Sequence, residues 1–437
     1  MRGAASLTAV AALLALAALA AVAPWLMPGQ GGTTVRIAAA AIFLASYAAL
    51  AIGKVPGLSI DRAGVALVGA CLMVASGAMP LQDAYKAVDF DTITLLLGMM
   101  IVVANLRLSG FFALTNAWVA QRAHHPLVLL SAIVGVSGLF SAFLVNDAIC
   151  LVLAPLVAEL AVGLRRNPLP YLLAVAMASN VGSTATITGN PQNIMIGSFS
   201  HIPYATFAAA LAPVAAVGLL LTIALLVLLH RTEFLGTERL EPHAPRVRVN
   251  RFLLLRALGA TAVLVVLFFA GQTPAKAAIV IGALLLLTRR VRSTRIYAEI
   301  DWSLLLMFTG LFIIVAGTER TLLTPAIVHD VSRLRLNAVP VLSVVTAVLS
   351  NLVSNVPAVL VLKPFIASLP DQATAWKVAA MASTLAGNFT ILGSVANLIV
   401  VEQAARRGVV IGFWDYFRVG APLTVLTILL GTLWLMR

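Results

Sequence analysis

Runs of about 20 apolar residues recur along the whole chain, and they constrain its fold more than any other feature. Each run is long enough to cross a hydrocarbon core of roughly 30 Å. Backbone inside that core must satisfy its own hydrogen bonds, as a helix does. Of the 437 residues, 61% are hydrophobic and 10% are charged. Soluble domains have roughly 45–50% apolar and about 25% charged residues. The sequence therefore predicts an all-α polytopic membrane protein.

The apolar runs form two series joined by the polar, basic stretch 231–250. The first series has runs near 5–27, 34–53, 63–79, 91–108, 126–164, 168–200 and 204–230. The second has runs near 251–271, 275–288, 301–318, 338–368, 376–405 and 413–436. The first run is longer than the 7–15 apolar residues of a secretory signal, so we interpret it as an uncleaved helix.

Segments of the two series match each other in the same order. The matching pairs are 177–196 with 381–400, 140–156 with 349–365, and 91–100 with 301–310. In the first pair, a shift of 204 makes seven of twenty positions identical. Such ordered similarity indicates an internal duplication of the kind found in secondary transporters.

The distribution of basic residues predicts the orientation of the two halves. We interpret 126–164 and 338–368 as re-entrant hairpins, and 168–200 and 376–405 as broken spanning helices. This gives about 11 transmembrane helices plus two re-entrant hairpins in two inverted repeats. With the N-terminus inside, 20 of the 29 Lys and Arg residues are cytoplasmic, in agreement with the positive-inside rule. We expect a multi-pass protein of a bacterial-type cytoplasmic membrane.

Two short amphipathic stretches lie between the membrane runs. One carries Phe111, Leu114 and Trp118 at helical spacing. The other carries Leu323, Ile327, Val331 and Leu334. We interpret both as interfacial helices, and ordinary loops are the alternative.

Four polar segments interrupt the apolar runs at membrane depth. They are the hairpin tips 145–147 and 354–357 and the helix breaks 182–193 and 387–397. Non-helical backbone survives there only where it lines a cavity or a site. The segments' oxygens suit a hard cation such as Na⁺ or a hydrogen-bonded solute, and their helix N-termini suit an anion. None contains Lys or Arg, so an anionic substrate would depend on amides, helix ends and a co-bound cation.

The candidate substrate- and ion-binding residues all lie in these four segments. They are Asn146, Asp147, Ser183, Thr184, Thr186, Thr188, Asn190, Asn193, Ser354, Asn355, Asn388, Thr390, Ser394 and Asn397. Four of them are candidate Na⁺ ligands, Asn146 with Asn193 and the equivalent Asn355 with Asn397.

Asp147 is the only carboxylate in the four segments. A charge at the bilayer centre costs at least about 2.5–3.5 kcal/mol on insertion scales, so such a residue is a candidate functional group. It could accept a coupling proton or bind Na⁺. The alternative is a structural cap for the first amides of the helix that follows.

Other chemistry finds little support in the sequence. The six histidines and two cysteines form no cluster of metal ligands, and no phosphate-binding loop is present. An intramembrane enzyme would need a nucleophile and a base at membrane depth, and neither is evident. The net charge of +13 is explained by topology and anionic lipid, so we expect no nucleic-acid partner. We expect no cofactor, only H⁺ or Na⁺ as coupling ion.

The order of these motifs resembles the ion transporter superfamily. The resemblance is based on four motifs: Asn146-Asp147, the run ITGNPQN at 187–193, the tip 354–357 and the run 383–400. Within it, Asn146-Asp147 before a Pro-terminated helix is closest to the arsenite-permease and related anion-permease branch. The sodium-dicarboxylate branch carries Ser-Asn-Thr at both tips, whereas this chain has Val-Asn-Asp and Ser-Asn-Val.

The resemblance implies a fixed scaffold and a mobile transport part that moves as an elevator, and it implies a homodimer. The domain boundaries are then an extra N-terminal helix at 1–33, a first repeat at 34–230 with scaffold 34–125 and transport part 126–230, the linker 231–250, and a second repeat at 251–437 with scaffold 251–337 and transport part 338–437.

Together these features predict a secondary active transporter of a small anion or oxyacid. Arsenite or antimonite efflux and transport of an inorganic or carboxylate anion both fit the candidate site. A Na⁺/H⁺ antiporter of the same superfamily and an ion channel are the alternatives.

Overall fold

The computed structural model describes residues 31–52, 59–236, 240, 247–288, 291–323 and 334–437. These residues form 20 α-helices and two 3₁₀ turns, with no strand among them. Eight of the helices are long and apolar enough to cross a membrane. The helix predicted at 5–27 and most of the second amphipathic stretch lie outside the described residues, and the total of 11 spans stays a prediction.

The first half contains ten helices before the linker. They are α1 (Gly31–Ile52), α2 (Arg62–Ala75), α3 (Leu81–Ala87), α4 (Phe90–Ser109), α5 (Phe111–Arg122), α6 (Pro126–Phe143), α7 (Asn146–Gly163), α8 (Pro168–Ser183), α9 (Pro191–Ser200) and α10 (Tyr204–Leu229). Several starts follow from the local sequence, because side chains of Asp61, Asp89 and Asn167 accept hydrogen bonds from amides of the first turn.

The linker and the second half contain the other ten helices. They are α11 (Arg231–Phe234), α12 (Arg251–Phe269), α13 (Pro274–Leu286), α14 (Ser293–Tyr297), α15 (Trp302–Leu322), α16 (Val339–Val353), α17 (Asn355–Ala367), α18 (Gln372–Ala386), α19 (Val395–Ala405) and α20 (Phe413–Leu435). Asn250, Asp301 and Asp371 cap α12, α15 and α18 in the same way.

The polar interruptions predicted from the sequence are helix ends in the structure. Only residues 144–145 separate α6 from α7, and only Ser354, at a φ of +79°, separates α16 from α17. The broken helices are α8 with α9 and α18 with α19, each interrupted by a 3₁₀ turn, Ile187–Gly189 and Ile391–Gly393. The four segments therefore contain backbone groups that a continuous helix would have paired.

The helices pack around α8 and its break. Every residue from 170 to 196 is buried, which includes most of α8, the whole break and the first turns of α9. Among the regions predicted as scaffold, α2 packs against α1 and α15, and α4 packs against α12 and α13. Among those predicted as transport parts, α7 packs against α8 and α19, and α20 packs against α10 and α18.

The first amphipathic stretch is helical, as predicted. It forms α5, with Phe112 and Val119 buried and Leu114 and Trp118 exposed. Exposed aromatic and apolar residues on a short helix beside the membrane spans are consistent with an interfacial position.

Candidate functional site

A single buried side chain, Asn180 in α8, joins both halves of the chain at the centre of the molecule. Its Oδ1 accepts hydrogen bonds from Asn146 Nδ2 at 3.0 Å and from Ser394 Oγ at 3.2 Å. Its Nδ2 donates to Asn388 Oδ1 at 2.9 Å and to Asn397 Oδ1 at 3.0 Å. The first hairpin tip and the second helix break are thus held by one carboxamide.

Thr384 in α18 occupies the matching position in the second half, 204 residues after Asn180. Its Oγ1 accepts hydrogen bonds from Asn190 Nδ2 at 3.0 Å and from Gln192 Nε2 at 3.1 Å. It also lies 3.5 Å from Asn193 Oδ1. Each break is therefore contacted by a polar residue of the opposite half.

Asn193 and Asn397 hold the two breaks in shape. Asn193 Nδ2 donates to the carbonyl oxygens of Ser183 and Thr186, at 3.1 and 3.0 Å. Asn397 Nδ2 donates to those of Gly387 and Thr390, at 2.7 and 3.1 Å. The partners are equivalent under the shift of 204 found in the sequence. These amide nitrogens replace the hydrogen bonds that the helix break removes.

The two hairpin tips differ in how their asparagines are satisfied. Asn146 Oδ1 is buried and has no hydrogen-bond partner within the described structure, so it is an acceptor available to a ligand. The Asn355 carboxamide lies against Ser350, and with its nitrogen turned inward it donates to Ser383 O at 3.1 Å and Gly393 O at 3.2 Å.

A small cavity of about 40 Å³ lies between the four segments and the helices α1, α2 and α15. Five predicted site residues line it: Asn146, Asp147, Ser354, Asn355 and Ser394. Two residues outside the prediction, Arg62 and Gln192, line it as well. The cavity thus brings together one carboxylate, one guanidinium and several neutral hydrogen-bonding groups.

Asp147 is half-buried and lines this cavity. Within the described part of the chain, no side chain caps the first amides of α7, which disfavours the alternative that Asp147 is a structural cap. Among the described residues, it makes no hydrogen bond or ion pair. Its carboxylate is therefore free to interact with an ion or a solute in the cavity.

The remaining predicted residues lie in the breaks, away from the cavity wall. Thr186 Oγ1 donates to Ala142 O, and Thr188 Oγ1 lies 2.8 Å from Tyr204 Oη. Hydroxyls of Ser183 and Thr184 bond to Asn180 O. The others are Asn190, Asn193, Asn388, Thr390 and Asn397, which lie outside the cavity lining. In this conformation these side chains stabilise the backbone around the site and do not line the cavity.

The paired candidate Na⁺ ligands are not brought to one point in the cavity. Asn146 and Asn355 line it, whereas Asn193 and Asn397 do not. Among the described residues, no group of three or more His, Cys, Asp or Glu side chains could hold a metal ion. A role for these residues in Na⁺ binding stays a prediction.

Sequence reasoning missed Asn180, Thr384, Gln192 and Arg62. Asn180 and Thr384 stand at matched positions of the two repeated motifs, so the alignment of the halves carried a signal for them. Gln192 lies within the polar run at the first break. Arg62 begins α2 in another part of the chain, and no motif connects it with the tips.

Comparisons with known proteins identify the family. The sequence profile of a family described as "Citrate transporter" matches residues 47–386. An uncharacterized transporter of Mycobacterium tuberculosis is 31% identical over 91% of this chain and 97% of its own length. The silicon efflux transporter of rice, Oryza sativa subsp. japonica, is 29% identical over 86% and 93%.

Among solved structures, the YdaH transporter of Alcanivorax borkumensis matches with a TM-score of 0.57. The match covers 92% of this chain and 97% of that protein at 15% identity, so it shows a shared fold. The profile covers most of this chain, and full-length relatives support it. The chain is therefore a multi-pass membrane transporter that belongs to the citrate transporter family, within the ion transporter superfamily.

Proposed function

We propose that the protein is a secondary active transporter of a small oxyacid or anion, with Asp147 as its coupling group and with H⁺ or Na⁺ as the coupling ion. The cavity between the tips, the breaks and the scaffold helices carries this proposal. It combines an unpaired carboxylate with neutral donors and acceptors at the centre of an all-helical membrane protein. A carboxylate in that position can exchange a cation as the substrate is bound or released.

The size and charge of the cavity favour a small, weakly charged substrate. At roughly 10–15 Å³ per water, its 40 Å³ accommodates about three water-sized groups in this conformation. A hydroxylated acid with three or four oxygens fits that space better than a citrate-sized molecule. The name of the rice relative, a silicon efflux transporter, agrees with a small hydroxylated acid. The description of the family as citrate transporters agrees with the larger carboxylate.

Alternating access would move the transport parts, 126–230 and 338–437, against the scaffold of a homodimer. In support, the cavity has one wall from each predicted part: tips and breaks on one side, and α1, α2 and α15 on the other. Displacing one wall along the other would carry the site from one membrane face towards the opposite face.

The substrate can be identified by ligand-dependent stability. We would measure the melting temperature of the purified protein with arsenite, silicic acid, phosphate, sulfate, citrate, succinate and Na⁺. A ligand that binds the folded state raises this temperature by mass action. A rise with arsenite or silicic acid alone supports the small-oxyacid assignment. A Na⁺-dependent rise with citrate or succinate contradicts it.

Asp147→Asn tests the coupling role. The change keeps the side-chain shape and removes the charge, so we expect the protein to fold and to lose gradient-driven transport in proteoliposomes. Asp91→Asn, at an exposed carboxylate at the start of α4, is the matched control. If Asp147→Asn transports at wild-type rates with unchanged pH and Na⁺ dependence, Asp147 is not the coupling group. Unsaturable single-channel currents would favour a channel.

A further inference from the structure

Arg62 faces the site cavity from the scaffold, although no motif of the transport segments includes it. It is the first residue of α2 and lines the same cavity as Asp147, Asn146 and Ser354. It is half-buried and makes no hydrogen bond or ion pair with the described residues. A guanidinium in this position has its donors available to whatever enters the cavity.

The charges around this cavity come from three elements. Arg62 and Asp147 interact electrostatically across it, and Asp301, which caps α15, adds a second negative charge that acts on Asp147. Within the described structure, the other groups lining the cavity are neutral. Among the residues that the structure describes, Arg62 is thus the one positive charge available there to an anionic oxygen.

The two charged side chains belong to different bodies of the proposed mechanism. Arg62 lies on α2, which packs against α1 and α15 of the scaffold. Asp147 lies on α7, which packs against α8 and α19 of the transport part. The four transport segments contain no cation of their own. A movement of the transport part would separate Asp147 and the substrate from Arg62.

We infer that Arg62 is a specificity-determining residue of the transport site, which binds an oxygen of the substrate. It attracts the Asp147 carboxylate across the cavity only when the site lies at the membrane face where α2 begins. The inference rests on the proposed function. It assigns the substrate class as a small oxyacid that carries no more than one negative charge in the site, because the described lining of the cavity has one guanidinium against one carboxylate. It also makes the site asymmetric, with tighter binding at the α2 face than at the other.

The charge pair can be tested without any ligand. Melting temperatures of Arg62→Gln, Asp147→Asn and the double variant form a double-mutant cycle. We expect the two positions to be coupled. Each substitution should lower the melting temperature less when the other is already present than it does in the wild-type background. Arg36→Gln, an exposed scaffold arginine in α1, should combine additively with Asp147→Asn. An additive cycle for Arg62 and Asp147 would refute the pairing.

Substrate binding is tested by transport measured separately from each membrane face. Arsenite and citrate would be the probes, in right-side-out and inverted vesicles. We expect Arg62→Gln to raise the half-saturating arsenite concentration at least tenfold at the α2 face and under threefold at the other. Arg62→Lys keeps the positive charge and should recover part of the arsenite affinity that Arg62→Gln loses. Arg36→Gln should behave as wild type. Equal changes at both faces, or none, would overturn the role of Arg62.

The two experiments also separate failure of this inference from failure of the proposed function. If the wild-type protein transports neither probe, the proposed substrate class falls. The ligand-free cycle then still decides the charge pair: coupling supports it and additivity rejects it. Citrate transport that depends on Arg62 would contradict the limit of one negative charge.

Discussion

Asn180 is 1% exposed, and its carboxamide makes four hydrogen bonds, one to the first hairpin tip and three to the second helix break. Both its oxygen and its nitrogen are used twice, which is close to the full capacity of an amide side chain. A side chain of another shape could not keep this set of contacts.

Asn180→Ala should therefore destabilise the protein strongly. Each buried partner left unpaired costs about 1–3 kcal/mol, and four groups lose a bond here. Asn105→Ala is the matched control, since Asn105 is equally buried and its side chain bonds, among the described residues, only to Ile101 O in its own helix. We expect a much larger fall in melting temperature for Asn180→Ala. Similar falls for both variants would show that the links across the halves contribute little.

His230, just beyond α10, gives a stability that depends on pH. Burial lowers its pKa, and the nearby Asp415 and Glu233 oppose this effect. A lowered pKa means that the folded state favours the neutral ring. The stability is present above the unfolded pKa of about 6.5 and is lost as the pH falls through it towards the folded pKa.

We expect His230→Gln to reduce the loss of melting temperature between pH 8 and pH 5. His124→Gln, the same substitution at an exposed histidine, provides the matched control. An identical acid sensitivity in wild type and His230→Gln would contradict the assignment.

At the scale of elements, α6 and α8 come into close contact at a pair of glycines. A Cβ placed on Gly182 would lie 2.2 Å from the carbonyl oxygen of Gly138. The obstacle is backbone, which cannot move aside as a flexible side chain can. This contact fixes α8 against the first hairpin directly before the break.

Gly182→Ala should separate α6 from α8 and lower the melting temperature, because overpacking typically costs about 1–3 kcal/mol. In the same hairpin, a Cβ on Gly135 would meet nothing within 4 Å, so Gly135→Ala should be neutral or slightly stabilising. Equal stabilities of the two variants would show that the close contact is not maintained.

The helix elements were largely predictable, and the contacts inside the site were not. Apolar runs and turn residues located the hairpins and breaks, since both signals are local in sequence. That Asn193 uses its amide nitrogen to hold its own break depends on how the chain folds back, which residue type does not reveal. Arg62 reaches the site only through the packing of α2 against its neighbours, so no spacing could indicate it.

At the scale of the whole molecule, the predicted orientation is testable by labelling. In a Cys71→Ser background, single cysteines would replace the exposed residues Gln82, in α3, and Ala405, at the end of α19. Cys150 is buried and should not react. The positive-inside distribution places Gln82 outside and Ala405 in the cytoplasm. An impermeant maleimide should label the Gln82→Cys variant in intact cells and the Ala405→Cys variant only after permeabilisation. The reverse pattern would invert the topology.

The bonds from Asn180 to the second break, and from Asn190 to Thr384, also bear on how the protein is made. A ribosome delivers Asn180 to the membrane about 200 residues before its partners in the second half are synthesised. Until then, buried polar groups of the first break lack the acceptors and donors that satisfy them in the finished protein. Until the second half packs around it, the polar centre of the nascent first half must therefore stay hydrated or be bound by an insertion factor.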